Sequence, residues 1–527
     1  MTGSRGFPVA SRDSMPTRCA VQSMPRKIAP ALLFCGIAGG SFAVLALQPS
    51  DGGDASAAPQ QRWTCHTADG ALERQQQVER NLLPVVAFLG ETRPAAVQER
   101  MDVHKIPALA VAVIRDGELD WSAAWGSLHA GGAAAECDSL FQAGSLAKPA
   151  TVLAALRMQQ QGIIDLDADI DTYLSSWQLP AGAQTDDNPV TLRNLFTHTA
   201  GITAGGYEGY AREAPMPSDR QTVQAEAPAN GRKVEVLEAP GTSLRYSGGG
   251  YTVAEIALQD RLQQPFERIM HTWLTAPVGM RQADFTQPPP GSSEGHTAHG
   301  HQADGSPVPG GWHNHPEQAA AGLWATASDL AAFLIEIRKG WQGRSAVFGQ
   351  DSIRELLADP IHGHAYGFRL IGEGDQVFMT HYGGTVGYRA GMTINLRTGN
   401  GAVYLSNSDN GSALGREFLG AVSDAYGWPG FRPARVERAA PQPAHVLESL
   451  AGRYGFGDGP VVAVAYERDA LTLLFPNGDR YVMTPIVGAP REFIHPDTGV
   501  RARFDGDGAD TTLQLYGETG RRLPGDE

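Results

Sequence analysis

At 527 residues the chain is longer than one compact domain, and two or three are expected. Hydrophobic residues at 42% and charged ones at 19% are the proportions of a globular protein with a sizeable core. A formal net charge of −15 opposes a phosphate-binding surface, so nucleic acid is not an expected partner.

Residues 31–47 form an apolar run behind Arg26-Lys27, and Ala55-Ser56-Ala57 follows with the small-x-small pattern that a signal peptidase accepts. Residues 1–57 therefore read as an export signal. The expected location is periplasmic or secreted, with the membrane met only through that signal; an uncleaved N-terminal anchor is the alternative. Cleavage there leaves two of the four cysteines, Cys65 and Cys137. In an oxidising compartment these two are predicted to pair.

The stretch 58–94 reads as a polar N-terminal helical extension, with Leu82, Leu83, Val86 and Leu89 as its apolar side. Leu109–Ile114 and Leu119–Trp125 are β-prone runs around Asp116-Gly117, a hairpin signal. Next comes Phe141-Gln-Ala-Gly-Ser145-Leu-Ala-Lys148-Pro149. Three residues along a helix bring side chains back to one face, so Ser145 and Lys148 are predicted neighbours. A serine hydroxyl is a weak nucleophile until a neighbour takes its proton, and a desolvated lysine can do that. Val152, Leu153, Leu156 and Met158 continue the helix to Gly162, placing the Ser145 N–H near a helix N-terminus, where it could face an oxyanion. Lysine is scarce here, at positions 27, 105, 148, 233 and 339 alone, so its place three residues after a serine carries weight.

His198, at the end of the apolar stretch from Leu192, reads as structural. Gly205 to Gly241 reads as loop near a cleft. Tyr246-Ser-Gly248 then opens a glycine run before a helix from Val253 to Leu262, and a phenol so placed could exchange protons with a serine. Residues 286–316 hold His296, His299, His301, His313 and His315. They lack an i, i+4 pair on a helix and any cysteine, so a solvated lid loop is expected and no metal. Gly291-Ser-Ser293-Glu-Gly295 matches the nucleophile-elbow pattern, but three prolines precede it where a strand is required. Ser328 or Asp329 should cap a helix from Leu330 to Arg338. Strands are expected at Val377–His381, Met392–Leu396 and Ala402–Asn407, and a helix at Leu414–Tyr426. Residues 432–446 read as a linker, and 447–523 as a small antiparallel β domain whose turns include Glu467-Arg-Asp469 and Pro476-Asn-Gly-Asp479.

Taken in order, Ser145-x-x-Lys148, Tyr246-x-Gly248, Gly322 to Asp329 and His381-x-Gly383-Gly384 resemble the motifs of the serine β-lactamase-related family, which includes class C β-lactamases, D-alanyl-D-alanine carboxypeptidases, D-aminopeptidases and esterases. Leu195-Phe-Thr-His-Thr-Ala-Gly201 and Pro277-Val-Gly-Met280 look like that family too, over residues 95–431. The resemblance implies an α+β, β-lactamase/transpeptidase-like fold, an antiparallel sheet flanked by helices with a further helical region; the tail resembles a lipocalin-like domain. It further implies Ser145 as nucleophile, with Lys148 and Tyr246 managing its proton. His381 stands where many relatives carry the lysine of Lys-Thr-Gly, to orient a substrate carboxylate or support the tyrosine. Gly383 and Gly384 would line an oxyanion hole made by the N–H groups of Ser145 and Gly384. Two positions depart from the pattern. Gly248 stands where β-lactamases of this type carry an asparagine that binds the acyl side-chain amide, and Tyr382 replaces a common threonine or glycine. A lost amide contact weakens selection for peptide-like substrates. The expectation is a serine hydrolase without cofactor that cleaves a small-molecule ester or a small amide or D-amino-acid peptide. The alternative is a silent penicillin-binding-like protein that binds cell-wall peptides.

Overall fold

Strand β1 (His66–Thr67) lies on the edge of a sheet that continues through β4 (Glu118–Gly126), β3 (Ala108–Arg115), β13 (Gly401–Ser406), β12 (Tyr388–Ile394), β11 (Phe378–Thr385), β10 (Phe368–Ile371) and β9 (His364–Ala365), all antiparallel. This is a computed structural model, and it describes residues 62–90, 92–357, 364–429, 431, 435–457, 461–475, 480–487 and 491–524. The expected export signal and the Pro476–Asp479 turn lie outside the described residues.

The run Leu109-Ala-Val-Ala-Val-Ile114 makes β3 a strand buried on both faces. Leu109, Val111 and Val113 join one core with α1 (Leu72–Glu79), α2 (Val97–His104) and α12 (Gly411–Tyr426). Ala110, Ala112 and Ile114 join the other, beneath α3 (Ala147–Gln160) and α10 (Ala327–Trp341). Asp116 and Gly117 close the β3–β4 hairpin with φ of 55° and 85°.

On the second face a helical region holds α4 (Leu192–Phe196), α5 (Asp219–Gln224), α6 (Gly248–Leu262), α7 (Phe266–Met270), α8 (Ala276–Val278), α9 (Gln318–Ala321) and α11 (Gln350–Glu355). The short strand β5 (Phe141–Gly144) pairs with β8 (Leu323–Ala325), and β6 (Tyr210–Ala211) with β7 (His313–Asn314). The cap of α10 is Thr326, whose hydroxyl accepts from Asp329 N–H while the Asp329 carboxylate accepts from Thr326. The cap thus begins earlier than Ser328, and Asp329 is the third helical residue of a capping box.

Three further sequence expectations are corrected. Residues 58–94 do not form one helix: α1 ends at Glu79, Leu82 bridges to Ala95, and Val86–Phe88 forms β2, parallel to β14 (Arg435–Glu437). Pro84, which cannot donate a helical hydrogen bond, stands at the break. The same pairing turns part of the expected linker into strand, and α13 (Ala444–Leu450) takes more of it. The histidine-rich segment is packed rather than solvated: His301 and His315 are buried, and His299 lies between His129 and Trp312, with ring centroids 4.8 and 5.5 Å away.

The C-terminal strands β15 (Gly452–Gly455), β16 (Val461–Glu467), β17 (Ala470–Leu474), β18 (Arg480–Pro485), β19 (Glu492–Ile494), β20 (Arg501–Asp505), β21 (Thr512–Leu515) and β22 (Glu518–Arg522) close into a barrel. Its interior is filled by Tyr454, Val464, Leu473, Met483, Phe493, Phe504 and Leu513, among others. The barrel meets the larger α+β domain at a charge cluster, where Arg100 of α2 donates to both oxygens of Glu417 on α12 at 2.7 and 2.6 Å and approaches Asp497 at 3.5 Å.

Candidate active site

Ser145 stands in the turn between β5 and α3. Gly144 before it holds φ at +52°, and an added Cβ there would lie 2.8 Å from Gly384 N. A Cβ on Gly383 would lie 2.0 Å from the Ala143 carbonyl oxygen and 3.2 Å from Ser145 N. Only glycine lets β11 come this near, so the main chains of 143–145 and 383–384 touch, and the N–H of Ser145 lies beside this glycine pair.

One turn on, the Lys148 N–H donates to the Ser145 carbonyl at 3.0 Å, which draws the two side chains together. Lys148 Nζ donates to Ser145 Oγ at 3.2 Å and to the Ala320 carbonyl of α9 at 2.8 Å. The amine is buried, 5.0 Å from the Tyr246 ring centroid and 5.6 Å from that of Tyr251. Tyr246 donates its hydroxyl to the same Ser145 Oγ at 3.0 Å, and its side of the site is open: the residue is 40% exposed. A hydroxyl is thus held between an amine and a phenol, with solvent access from one side.

The phenol is placed by α6 and α4. Ser247 caps α6 by accepting from Gly250 N–H at 3.0 Å, and its own N–H donates to His198 Nδ1 at 3.2 Å. The buried His198 ring stacks on Tyr246 with centroids 4.4 Å apart, and Tyr251 donates to the Phe196 carbonyl at 2.9 Å. The histidine read as structural therefore supports the tyrosine directly. The lysine's acceptor is fixed from α6 as well: Glu255, fully buried, accepts from the Ala319 N–H at 2.8 Å. Burial holds the Glu255 carboxyl well above the usual range.

His381 is half-buried on β11, on the strand face that Gly383 shares, while Tyr382 points to the opposite face and is 40% exposed. The structure thus gathers Ser145, Lys148, Tyr246, Gly383 and Gly384 at one point, and sets His381 two residues along the same strand face. Cys65 and Cys137, expected to pair, are joined by a disulfide. Gly291–His296 is a 3-10 turn in which Ser293 donates to Pro290 O at 2.6 Å, away from any strand-to-helix elbow. At Gly248 the space beside the α-carbon is filled by the Tyr207 ring, which an added Cβ would meet at 3.0 Å.

Among the described residues one cluster has three side chains with metal-ligand atoms close together, His104, Glu417 and Asp497. The Arg100 guanidinium already sits there on Glu417, so the cluster is an ion-pair network rather than a cation pocket. His301 and His313 direct their Nδ1 atoms at the main-chain carbonyls of Asn407 and Glu208, at 3.1 and 2.9 Å.

The sequence profile of the β-lactamase family matches residues 94–423. This chain belongs to that family. Among characterised relatives, it is 29% identical over 198 residues to penicillin-binding protein 4 of Amycolatopsis lactamdurans, covering 35% of this chain and 48% of that protein. It is 29% identical over 216 residues to esterase EstB of Burkholderia gladioli, covering 39% and 53%, and 26% identical over 284 residues to a β-lactamase of Lysobacter lactamgenus, covering 53% and 65%. The chain therefore spans about half to two thirds of these relatives' length. The octameric penicillin-binding protein homologue from Pyrococcus abyssi superposes with a TM-score of 0.55 at 18% identity, over 80% of this chain and 98% of that one, a likeness of fold. Family membership agrees with the α+β fold and with a hydrolase of the β-lactamase type.

Proposed function

We propose that the protein is an exported serine hydrolase that forms an acyl-enzyme on Ser145 and cleaves an ester or a small amide such as a D-amino-acid peptide. The convergence of Lys148 Nζ and Tyr246 OH on Ser145 Oγ, at 3.2 and 3.0 Å, carries this reading. As Oγ bonds to the substrate carbonyl carbon, the Lys148–Tyr246 pair receives its proton. The carbonyl oxygen, now anionic, lies between the N–H groups of Ser145 and Gly384, donors of a kind whose removal costs about 10²–10³ in rate. The bond to the leaving group breaks and that group takes the proton. Water then attacks the acyl ester, releasing the acid and restoring the serine hydroxyl. His381 orients a substrate carboxylate or supports Tyr246.

The substrate range follows from Gly248, which offers no side-chain amide to a peptide-like acyl group. Export is supported by the Cys65–Cys137 bond, since such bonds persist in oxidising compartments. The test is to assay the mature protein on p-nitrophenyl acetate, nitrocefin and a D-alanyl-D-alanine peptide, each with a Ser145→Ala control. Turnover of the ester or peptide is expected, falling by at least about 10³-fold in the variant along with fluorophosphonate labelling. Equal labelling of wild type and variant would overturn the assignment.

A further inference from the structure

We propose that Tyr207 is a specificity-determining residue, forming a carbon-faced wall beside the catalytic tyrosine that selects substrates bearing a flat apolar group next to the scissile carbonyl. This rests on the hydrolase reading above and names the substrate class for that site. A cavity of about 780 Å³ opens at Tyr246, and Tyr207, Ile202 and Leu237 are among its walls. That is the size of a pocket for a small organic molecule.

The geometry at Tyr207 is built. Its ring lies between two glycines: a Cβ on Gly248 would meet Cε2 and Cδ2 at 3.0 and 3.2 Å, and one on Gly231 would meet Cε1 and Cδ1 at 3.4 and 3.5 Å. A side chain at 248 would push the ring aside, so the ring owes its place to the glycine there. Its hydroxyl is engaged away from the cavity, sharing a hydrogen bond with Thr252 Oγ1 at 3.0 Å. Burial pushes that phenol far above the usual tyrosine range, so it stays neutral. What remains for a ligand is the carbon framework of the ring. Aromatic rings prefer offset or edge-on partners, and the added attraction amounts to roughly ten-fold in affinity at most.

The experiment compares two ester pairs: p-nitrophenyl acetate against phenylacetate, which varies the acyl side, and methyl against benzyl acetate, which varies the alcohol side. Tyr207→Ala, Tyr207→Phe and Gly248→Asn are measured beside wild type and Ser145→Ala. In one of the pairs, Tyr207→Ala and Gly248→Asn are expected to lower the aromatic-to-small ratio of kcat/KM by about ten-fold, mainly through KM. Tyr207→Phe should keep the ratio within about two-fold, because the ring stays. A ratio unchanged in both pairs, or a fall shared equally by aromatic and small substrates, would overturn the proposal. Equilibrium binding of phenylacetate and benzyl alcohol against acetate and methanol reads the same preference without turnover. An aromatic preference lost in Tyr207→Ala then supports the wall even where no ester is cleaved, an outcome that would count only against the hydrolase reading.

Discussion

Lys148 and Glu417 are both buried ionisable side chains, and their surroundings differ in kind. Glu417, on α12 at the barrel junction, meets its charge in full: two bonds from Arg100 and one with His104 Nε2 at 2.8 Å, with Asp497 and Arg416 alongside. Lys148 has instead a hydroxyl, a main-chain carbonyl and two aromatic rings. Opposed charge settles the first group into one ionisation state, which suits a joint. The second is held by neutral groups, one of them the hydroxyl proposed as nucleophile, where no ion pair has to break for a proton to pass. On the proposed mechanism Glu417 is a buried ionisable group kept for structure and Lys148 one kept for chemistry.

Substituting either residue distinguishes the two roles. Lys148→Met should lower kcat by about 10²–10⁴-fold, the usual weight of a proton-transfer group, while Tm holds or rises because an apolar chain fills the same buried space. A large drop in Tm with little change in kcat would reverse the assignment. Glu417→Gln should do the opposite, leaving the half-buried Arg100 guanidinium beside a neutral amide at a cost of about 3–5 kcal/mol in stability and little change in kcat below the melting range. The pH dependence sharpens this. Burial alone would raise the Glu417 pKa, but the Arg100 and His104 hydrogen bonds hold it below its usual 4.5. Because the folded value is depressed, the stability this group contributes is complete above pH 4.5 and is lost as the pH falls below it. Tm followed from pH 7 down to about pH 3 should therefore converge for wild type and Glu417→Gln.

The two regions were also unequally legible in the sequence. Ser145 and Lys148 are three residues apart, and Asp116-Gly117 carries its own turn chemistry, so local rules reach both. The barrel announced itself in the same way, through turns such as Arg468-Asp469, whose φ values are 51° and 63°. Ala320, which receives the Lys148 amine, lies 172 residues away and contributes only its carbonyl, which no residue pattern marks. The junction behaves likewise: Arg100 and Glu417 are 317 residues apart, and β2 pairs with β14 across the whole catalytic domain. The polar composition of the histidine-rich segment points to a solvated loop, and the structure packs it instead. Main-chain carbonyls meet His301 and His313 and neighbouring rings pack on His299, and that depends on the fold rather than on the composition.

Glu255 gives the smallest and most discriminating effect, since it touches neither substrate nor Ser145. It is buried like Glu417, but its hydrogen-bond donors are the main-chain N–H groups of Ala319 and Gln318 rather than cations, and burial holds its pKa well above the usual range. A neutral acid there would serve as an acceptor that seats α9, whose Ala320 carbonyl in turn holds Lys148. Glu255→Gln preserves an acceptor of the same shape and should keep kcat within about two-fold, whereas Glu255→Ala strands the Ala319 N–H, costing about 1–3 kcal/mol in stability and about ten-fold in kcat. The pH dependence runs opposite to that of Glu417. With the folded value raised, the stability contributed is complete below the usual 4.5 and is lost as the pH rises through the folded value. The Gln variant carries no such loss, so its Tm should match wild type in acid and exceed it in mild base. If Gln and Ala lowered kcat alike, the charge of Glu255 rather than its acceptor would matter, and the division between paired and unpaired buried groups would have to place Glu255 with the chemistry.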